Sequence, residues 1–420
     1  DHNGKITLRV TSMDQSSSIL PLGIHKNIYP SIRECDQIDV PARTLDHLIY
    51  ELGLAPNLFN FLNLDIQGAE LLALKGASRL LGNIEAIVSE VNLVELYQGA
   101  ALLPQLEAHL RAAGFNRAAM FTPWHPTWGD AFFVRRPVVT MSSLGKNGRF
   151  ANQLFQYLYL RLVAKKQGAI VQTPDWAGRT LFGLEDPEPV GSFPLVYEAG
   201  RTELPPFSSE VSDPVALIQH RQEAFPDTDF WGWFALHTRE ISSHRDLIRQ
   251  IFTPVPRLQE RLNSLVANLA LGNRKLIAVH LRRGDYGYAS FFRAPCSWYE
   301  KWIREEKFSP DTHVIYIASE SAELYRQRFQ GFRVVTRLDA GCPDSLEPYL
   351  DFFVLSQAKA LAISNSTYSF LASMLNTQAQ YLFRPCSEAN GLISFDPWNA
   401  QVFLRREVSD SEHKEYAMVD

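Results

Sequence analysis

Cysteine is scarce in this chain of 420 residues: Cys35, Cys296, Cys342 and Cys386 stand far apart, with no CxxC and no paired histidine spacing. That pattern signals neither a zinc site nor a disulfide framework, and it fits reduced thiols in a cytosolic setting. Long apolar runs are also missing. None approaches the ~18 residues that span a bilayer, and no signal peptide opens the chain. The expected location is the cytoplasm, with peripheral association at the inner membrane as a second option. An excess of one charge is lacking too: 41 Lys and Arg face 46 Asp and Glu, and the basic residues are dispersed. A nucleic-acid footprint is therefore not expected. The first residue is Asp1 and not Met, which leaves open that the chain is a fragment. What the sequence does have is 46% hydrophobic and 12% aromatic residues, a composition that buries well. Its length suggests two or three domains at roughly 100 to 200 residues each.

The most informative stretch is Leu276-Ile-Ala-Val-His-Leu-Arg-Arg-Gly-Asp-Tyr-Gly287. Its apolar start is short and β-branched, which reads as a buried parallel strand. The run ends in Arg282 and Arg283, then Gly284, which permits a sharp turn, and Asp285. In open α/β sheets ligands bind off the carboxyl ends of strands, and the planar guanidinium fork pairs well with phosphate oxygens. Two arginines there are placed to hold a diphosphate. The alternative is an exposed arginine pair neutralised by Asp285.

From residue 276 onward, strands expected at 313–318, 332–336, 361–364 and 381–383 alternate with helices at 298–307, 321–329, 345–360 and 368–375. This alternation gives an α/β fold with a parallel sheet covered on both faces. Between the strand at 361–364 and the next helix lie Ser364, Asn365, Ser366, Thr367 and Ser369. Backbone N–H groups and small hydroxyls at such a helix start bind phosphate oxygens, and Ser366 or Thr367 would equally serve as a helix cap. A third segment, 144–153, carries Gly145, Gly148, Asn152 and Gln153 between a short strand at 138–141 and a long helix. Residues 173–214 read as long loops.

Residues 1–137 read as strand, helix, strand, helix, strand, helix and a closing strand pair. Asp65 ends the strand at 59–66, and Glu90 falls near the end of the strand at 84–91. Each is a candidate for ordering a ligand, or a plain helix-start or turn carboxylate.

The motifs resemble two known families. Asn63-Leu-Asp-Ile-Gln-Gly-Ala-Glu70, Ser89-Glu-Val91 with Leu96-Tyr97, and Trp128-Gly-Asp-Ala131 resemble the second half of FkbM methyltransferases, whose cofactor is S-adenosylmethionine (SAM). Their cofactor loop falls upstream of these motifs, so SAM is expected only if upstream sequence completes this domain. Asp65 and Glu90 are the methyltransferase-like site residues. Gly148-Arg-Phe-Ala-Asn-Gln-Leu-Phe-Gln-Tyr157, His280-Leu-Arg-Arg-Gly-Asp-Tyr286 and Asn365-Ser-Thr-Tyr-Ser369 resemble, in order, the signature segments of the alpha-1,2-fucosyltransferases of glycosyltransferase family 11.

That second resemblance implies a GT-B-like pair of Rossmann-like lobes, preceded by a partial class I methyltransferase-like α/β domain. The corresponding boundaries are 1–137, 138–275 for the acceptor-side lobe and 276–420 for the donor lobe. It further implies inverting transfer of L-fucose from GDP-fucose to a glycan hydroxyl, O2 of a galactoside, without a metal. Arg283, Arg282 and Asp285 are then the catalytic candidates. His280, Asn365, Ser366, Thr367 and Ser369 would bind the donor, and Asn152 and Gln153 would lie in the acceptor-side loop. The general base stays open between Asp285 and Glu320. The alternative is an FkbM-type SAM-dependent O-methyltransferase with a non-catalytic nucleotide-sugar-binding appendage.

Overall fold

The computed structural model describes residues 3–189, 192–198, 211–223, 225–269, 271–284, 286–287 and 292–404. The chain divides into two compact units. One comprises Asp1–Ser142, Leu160–Pro174 and Glu185–Trp231, the other Ser143–Tyr159, Asp175–Leu184 and Gly232–Asp420.

The first unit opens with an antiparallel ribbon of β1 (Gly4–Thr11) and β2 (Glu34–Ala42), with the single helical turn α1 (His25–Ile28) between them. Next comes α2 (Leu45–Glu51), whose cap Thr44 accepts a hydrogen bond from the His47 amide, as its position ahead of an apolar helical stripe predicts. The elements β3 (Phe61–Leu64), α3 (Glu70–Lys75), β4 (Ala86–Asn92), α4 (Leu103–Ala112), β5 (Asn116–Phe121) and β6 (Trp128–Val134) follow. Their four strands make a sheet of order β3-β4-β6-β5, parallel between β3 and β4 and antiparallel beyond. Leu64, Ile87, Val91, Ala131 and Phe133 pack one sheet face against Leu74, Leu106 and Leu110 of the helices. The same unit holds a wholly parallel sheet of order β10-β9-β11-β7-β8, built from β7 (Val138–Thr140), β8 (Ile170–Gln172), β9 (Leu195–Glu198), β10 (Val211–Ser212) and β11 (Thr228–Trp231). Helix α5 (Phe150–Gln167) connects β7 to β8, and the division between units falls inside it. Of the two short helices that follow, α6 (Ala177–Phe182) belongs to the second unit and α7 (Pro214–Gln219) to the first.

The second unit begins its regular part with α8 (Arg245–Ile251) and α9 (Pro256–Asn268). It then runs β12 (Lys275–His280), α10 (Cys296–Glu305), β13 (His313–Ala318), β14 (Arg333–Val335), α11 (Glu347–Gln357), β15 (Ala360–Ala362), α12 (Thr367–Leu375), β16 (Tyr381–Cys386) and β17 (Gly391–Ser394). The sheet order is β14-β13-β12-β15-β16-β17, parallel except for the last pair. From β12 the chain steps outward to β13 and β14, then returns to β15 on the other flank of β12. The strand order therefore reverses between β12 and β15, the position at which open α/β sheets bind ligands off their carboxyl ends. All of β12 except Lys275 is buried, as a central strand covered on both faces must be.

The α/β class holds: among the described residues the strands form one parallel sheet, one sheet parallel but for its last pair, a mixed four-stranded sheet and an antiparallel ribbon. Local differences have local causes. The stretch 173–214, expected to be loop, contains α6, β9 and β10, whose few residues give no periodicity to read. Strand β2 is polar and exposed along nearly all its length, so no apolar alternation marks it. Residues Ala322–Arg328 form a 3-10 helix instead of an α-helix. Among the described residues, no helix is long and apolar enough to cross a membrane.

Strand β12, buried from Leu276 to His280, carries the second unit's core. Ile277→Ala should cost about 2 to 5 kcal/mol, whereas Leu324→Ala, at a site 78% exposed, should stay within about 0.5 kcal/mol of wild type. Urea unfolding of both variants checks the contrast.

Candidate functional site

Two loops leave the switch point of the second unit's sheet, one after β12 and one after β15. Because β12 pairs with β15 through Val279 and Ala362, the segments at 280–284 and 363–367 emerge side by side. Nδ1 of His280 shares a hydrogen bond of 2.8 Å with Ser364 Oγ, joining the two loops at their base. The His280 ring is buried, and its pKa is pushed down to about 3 by that burial and then by the charges of Arg282 and Arg283. The imidazole is neutral at any working pH, so the positive charge here belongs to the arginines alone.

Arg283 is only 4% exposed. Its Nε donates to Tyr325 Oη at 2.9 Å, and its Nη1 donates to the carbonyls of Ala294 at 3.2 Å and Arg282 at 3.1 Å. The guanidinium lies 5.0 Å from the centre of the Tyr325 ring. Burying a guanidinium is unfavourable unless its donors are matched, and these partners fix its plane. Arg282 forms an ion pair with Glu320 and lies 5.3 Å from the centre of the Tyr286 ring. The Arg283 amide donates to the same Glu320 at 3.4 Å. Gly284 has φ +41°, a left-handed turn that glycine adopts without strain. Asp285 lies outside the described residues.

The hydroxyl-rich turn is built more tightly than its composition implied. Ser366 caps α12, accepting from the Tyr368 amide. Ser369 is fully buried, and its Oγ accepts from the Ser364 amide at 3.3 Å. Asn365 uses both ends of its amide on Leu404, donating to the carbonyl at 2.8 Å and accepting from the N–H at 2.9 Å. Thr367 Oγ1 donates to Asn152 Oδ1 at 2.8 Å, so the glycine-containing loop and this turn meet within one unit. Gln153 closes its own loop, donating to the Gly148 carbonyl at 3.1 Å. Gly148 has φ +77°, and a Cβ there would lie 2.1 Å from the Trp233 ring, so the loop excludes any larger residue. All three motif segments thus converge in one unit, with Asn365 and Ser369 shaping the turn from within.

A second polar cluster sits in the first unit and has the opposite sign. Gln67, at φ 58°, donates through Nε2 to Asp65 at 2.7 Å and to Glu90 at 3.3 Å, while its Oε1 accepts from Tyr97 Oη at 2.7 Å. Glu70 accepts from the amides of Ile66 and Gly68, both at 3.1 Å. Burial, followed by the charges of Glu70, Asp65 and Asp130, pushes the Glu90 carboxyl up to about 8. Asp65 and Glu90 are therefore brought together by Gln67, and Glu90 carries a proton at neutral pH. These residues do not of themselves make a cradle for SAM. The glycine after β3, Gly68, faces Tyr97 and Ala100 closely enough that a Cβ would lie 3.0 to 3.3 Å from their side chains, so that position admits no larger residue.

Tyr325 and the Ala294 carbonyl carry no sequence signal of their roles, whereas Gln67 and Tyr97 stand inside the FkbM-like motifs, a signal that could have marked them as site residues. Tyr325 reads as one apolar position in a helical pattern, and only the fold sets its hydroxyl against Arg283. Among the described residues, no group of three or more His, Cys, Asp and Glu is arranged to hold a metal ion.

Comparison with known proteins agrees with both resemblances. Residues 4–117 match the family model described as Methyltransferase FkbM domain. The chain is 32% identical over 147 residues to the O-antigen biosynthesis glycosyltransferase WbnK of Escherichia coli, covering 33% of this chain and 47% of that protein. It is 25% identical over 253 residues to Galactoside alpha-(1,2)-fucosyltransferase 1 of Leontocebus fuscicollis, covering 54% of this chain and 64% of that protein. The chain thus spans between about half and just under two thirds of these curated relatives. Among solved structures, fucosyltransferase NodZ from Bradyrhizobium aligns with a TM-score of 0.39 at 14% identity, over 62% of this chain and 99% of that chain.

The protonated Glu90 gives stability a pH dependence of definite sign. Its pKa rises from the ordinary 4.5 to about 8 on folding, so the folded state binds more protons between these values. Its penalty is absent below about pH 4.5, grows as pH rises to about 8 and is constant above. Glu90→Gln should flatten the decline in urea midpoint between pH 5 and 8; parallel curves for the two proteins would contradict the assignment.

Proposed function

We propose that this chain transfers L-fucose from GDP-fucose to a hydroxyl of a glycan, with inversion at the anomeric carbon and O2 of a galactoside as the acceptor position. In this reading residues 138–275 serve the acceptor side and 276–420 bind the donor. The observation that carries the proposal is the pair Arg282 and Arg283 at the switch point, beside the turn that Thr367 and Asn152 tie together. The sequence likeness to fucosyltransferases supports the choice of sugar.

The chemistry follows from charge. The acceptor oxygen attacks the anomeric carbon from the face opposite the diphosphate, its proton passes to a general base, for which the carboxylates of Asp285 and Glu320 are the candidates, and the bond to the β-phosphate oxygen breaks with its electron pair. Negative charge grows on the departing GDP, and a positive group already aimed at it lowers the barrier because little reorganises during the reaction. Arg283 is that group in our reading. Tyr325 and the Ala294 carbonyl hold its plane, while Arg282, oriented by Glu320, adds the second charge. The N–H groups at the start of α12 complete the anion site. Thr367 and Asn152 fix the distance between donor turn and acceptor loop, and Asn365, Ser366 and Ser369 hold the turn in shape. His280 supports it as a neutral hydrogen-bonding group.

Because Arg283 is buried, Arg283→Lys is a gentler probe than truncation: it keeps one charge and loses the fork. We expect consumption of GDP-fucose in preference to other GDP- and UDP-sugars, and a fall in turnover on the order of 10²- to 10³-fold in Arg283→Lys. Preference for a UDP-sugar, or wild-type turnover in the folded variant, would overturn the proposal.

A further inference from the structure

The second unit holds an apolar groove separate from the arginine site. Its walls come from α6, the turn after α8, α9 and α11, including Phe182, Phe252, Leu258, Leu262, Phe352 and Phe353, and its volume is about 260 Å³. Neither Arg282, Arg283 nor the hydroxyl turn lines it. Phe182 and Leu258 are only half-buried, whereas Leu262, Phe352 and Phe353 are buried, so the groove is open at one side and floored by core.

Among the described residues lining it, Arg249 is the sole charged one. Its Nε is shut off from solvent and has no hydrogen-bond partner. Its guanidinium lies 5.6 Å from the centre of the Trp398 ring, which holds the cation beside the groove without satisfying its donors. Arg249 as a whole is half-buried and lines the groove, so the accessible part of its charged guanidinium offers paired donors there, for which an anion is the strongest match. The remaining lining side chains are apolar or uncharged.

We propose that this groove binds a single-chain anionic amphiphile, its alkyl chain lying along the aromatic and leucine walls and its anionic head on Arg249. Charge complementarity selects the head, and the apolar lining selects the tail. The volume falls just below the usual range of about 300 to 1,000 Å³ for small-molecule sites, which suits one slender chain better than a sugar ring system or a helix.

The test is a calorimetric titration of the intact chain with decyl phosphate, below its micelle-forming concentration. We expect one saturable site per chain, affinity at least tenfold weaker for the uncharged decyl maltoside, and no saturable binding of inorganic phosphate in this range. Arg249→Gln should lower decyl phosphate affinity about tenfold, and Leu258→Asn should weaken both amphiphiles. Absence of saturable binding, or unchanged affinity in folded Arg249→Gln, would overturn the proposal. The readout is binding alone and does not depend on sugar transfer.

Discussion

The structure of the second unit depends on keeping a guanidinium charged inside protein. Arg283 is almost wholly buried, and a desolvated cation persists only if its donors find acceptors. A tyrosine hydroxyl and two backbone carbonyls supply them. Those acceptors are in place because β12 is the central strand of its sheet, delivering Arg282 and Arg283 to the point where strand order reverses. The sheet's parallel packing, the left-handed turn at Gly284 and the Glu320 contact all serve that placement. These bonds fix the plane of the Arg283 guanidinium.

The chain carries two polar centres of opposite sign in its two units. Around Glu90 burial, followed by the charges of Glu70, Asp65 and Asp130, raises its pKa, and Gln67 acts as the neutral bridge between Asp65 and Glu90. Around His280 the arginines and burial act the other way and keep the ring neutral. One centre presents acceptors and a retained proton, the other fixed positive charge. Residues 4–117, which match the FkbM domain model, lie wholly in the first unit together with Glu90.

Much of this was legible in the residues. The short, β-branched run Leu276–His280 reads as a covered strand and is buried throughout, and the alternation from 276 to 383 gives the parallel sheet. The site lost detail where composition is silent on direction. Five small polar residues from Ser364 to Ser369 look alike in sequence, yet Ser369 is sealed in the core and Asn365 is spent on Leu404. The bond between Thr367 and Asn152 joins positions 215 residues apart, and no local pattern encodes such a meeting. Tyr325 sits in a 3-10 segment whose spacing mimics an α-helix. Strand β2 is held by its pairing with β1 and not by a buried face, so hydrophobic periodicity could not find it.

The most direct test of the central claim is a crystal structure of the chain with GDP. Our account predicts the diphosphate off the carboxyl ends of β12 and β15, with the β-phosphate in hydrogen-bond reach of the Arg283 guanidinium and the α12 N-terminus. Ordered GDP elsewhere on the chain, with Arg283 contacting none of its phosphates, would contradict it.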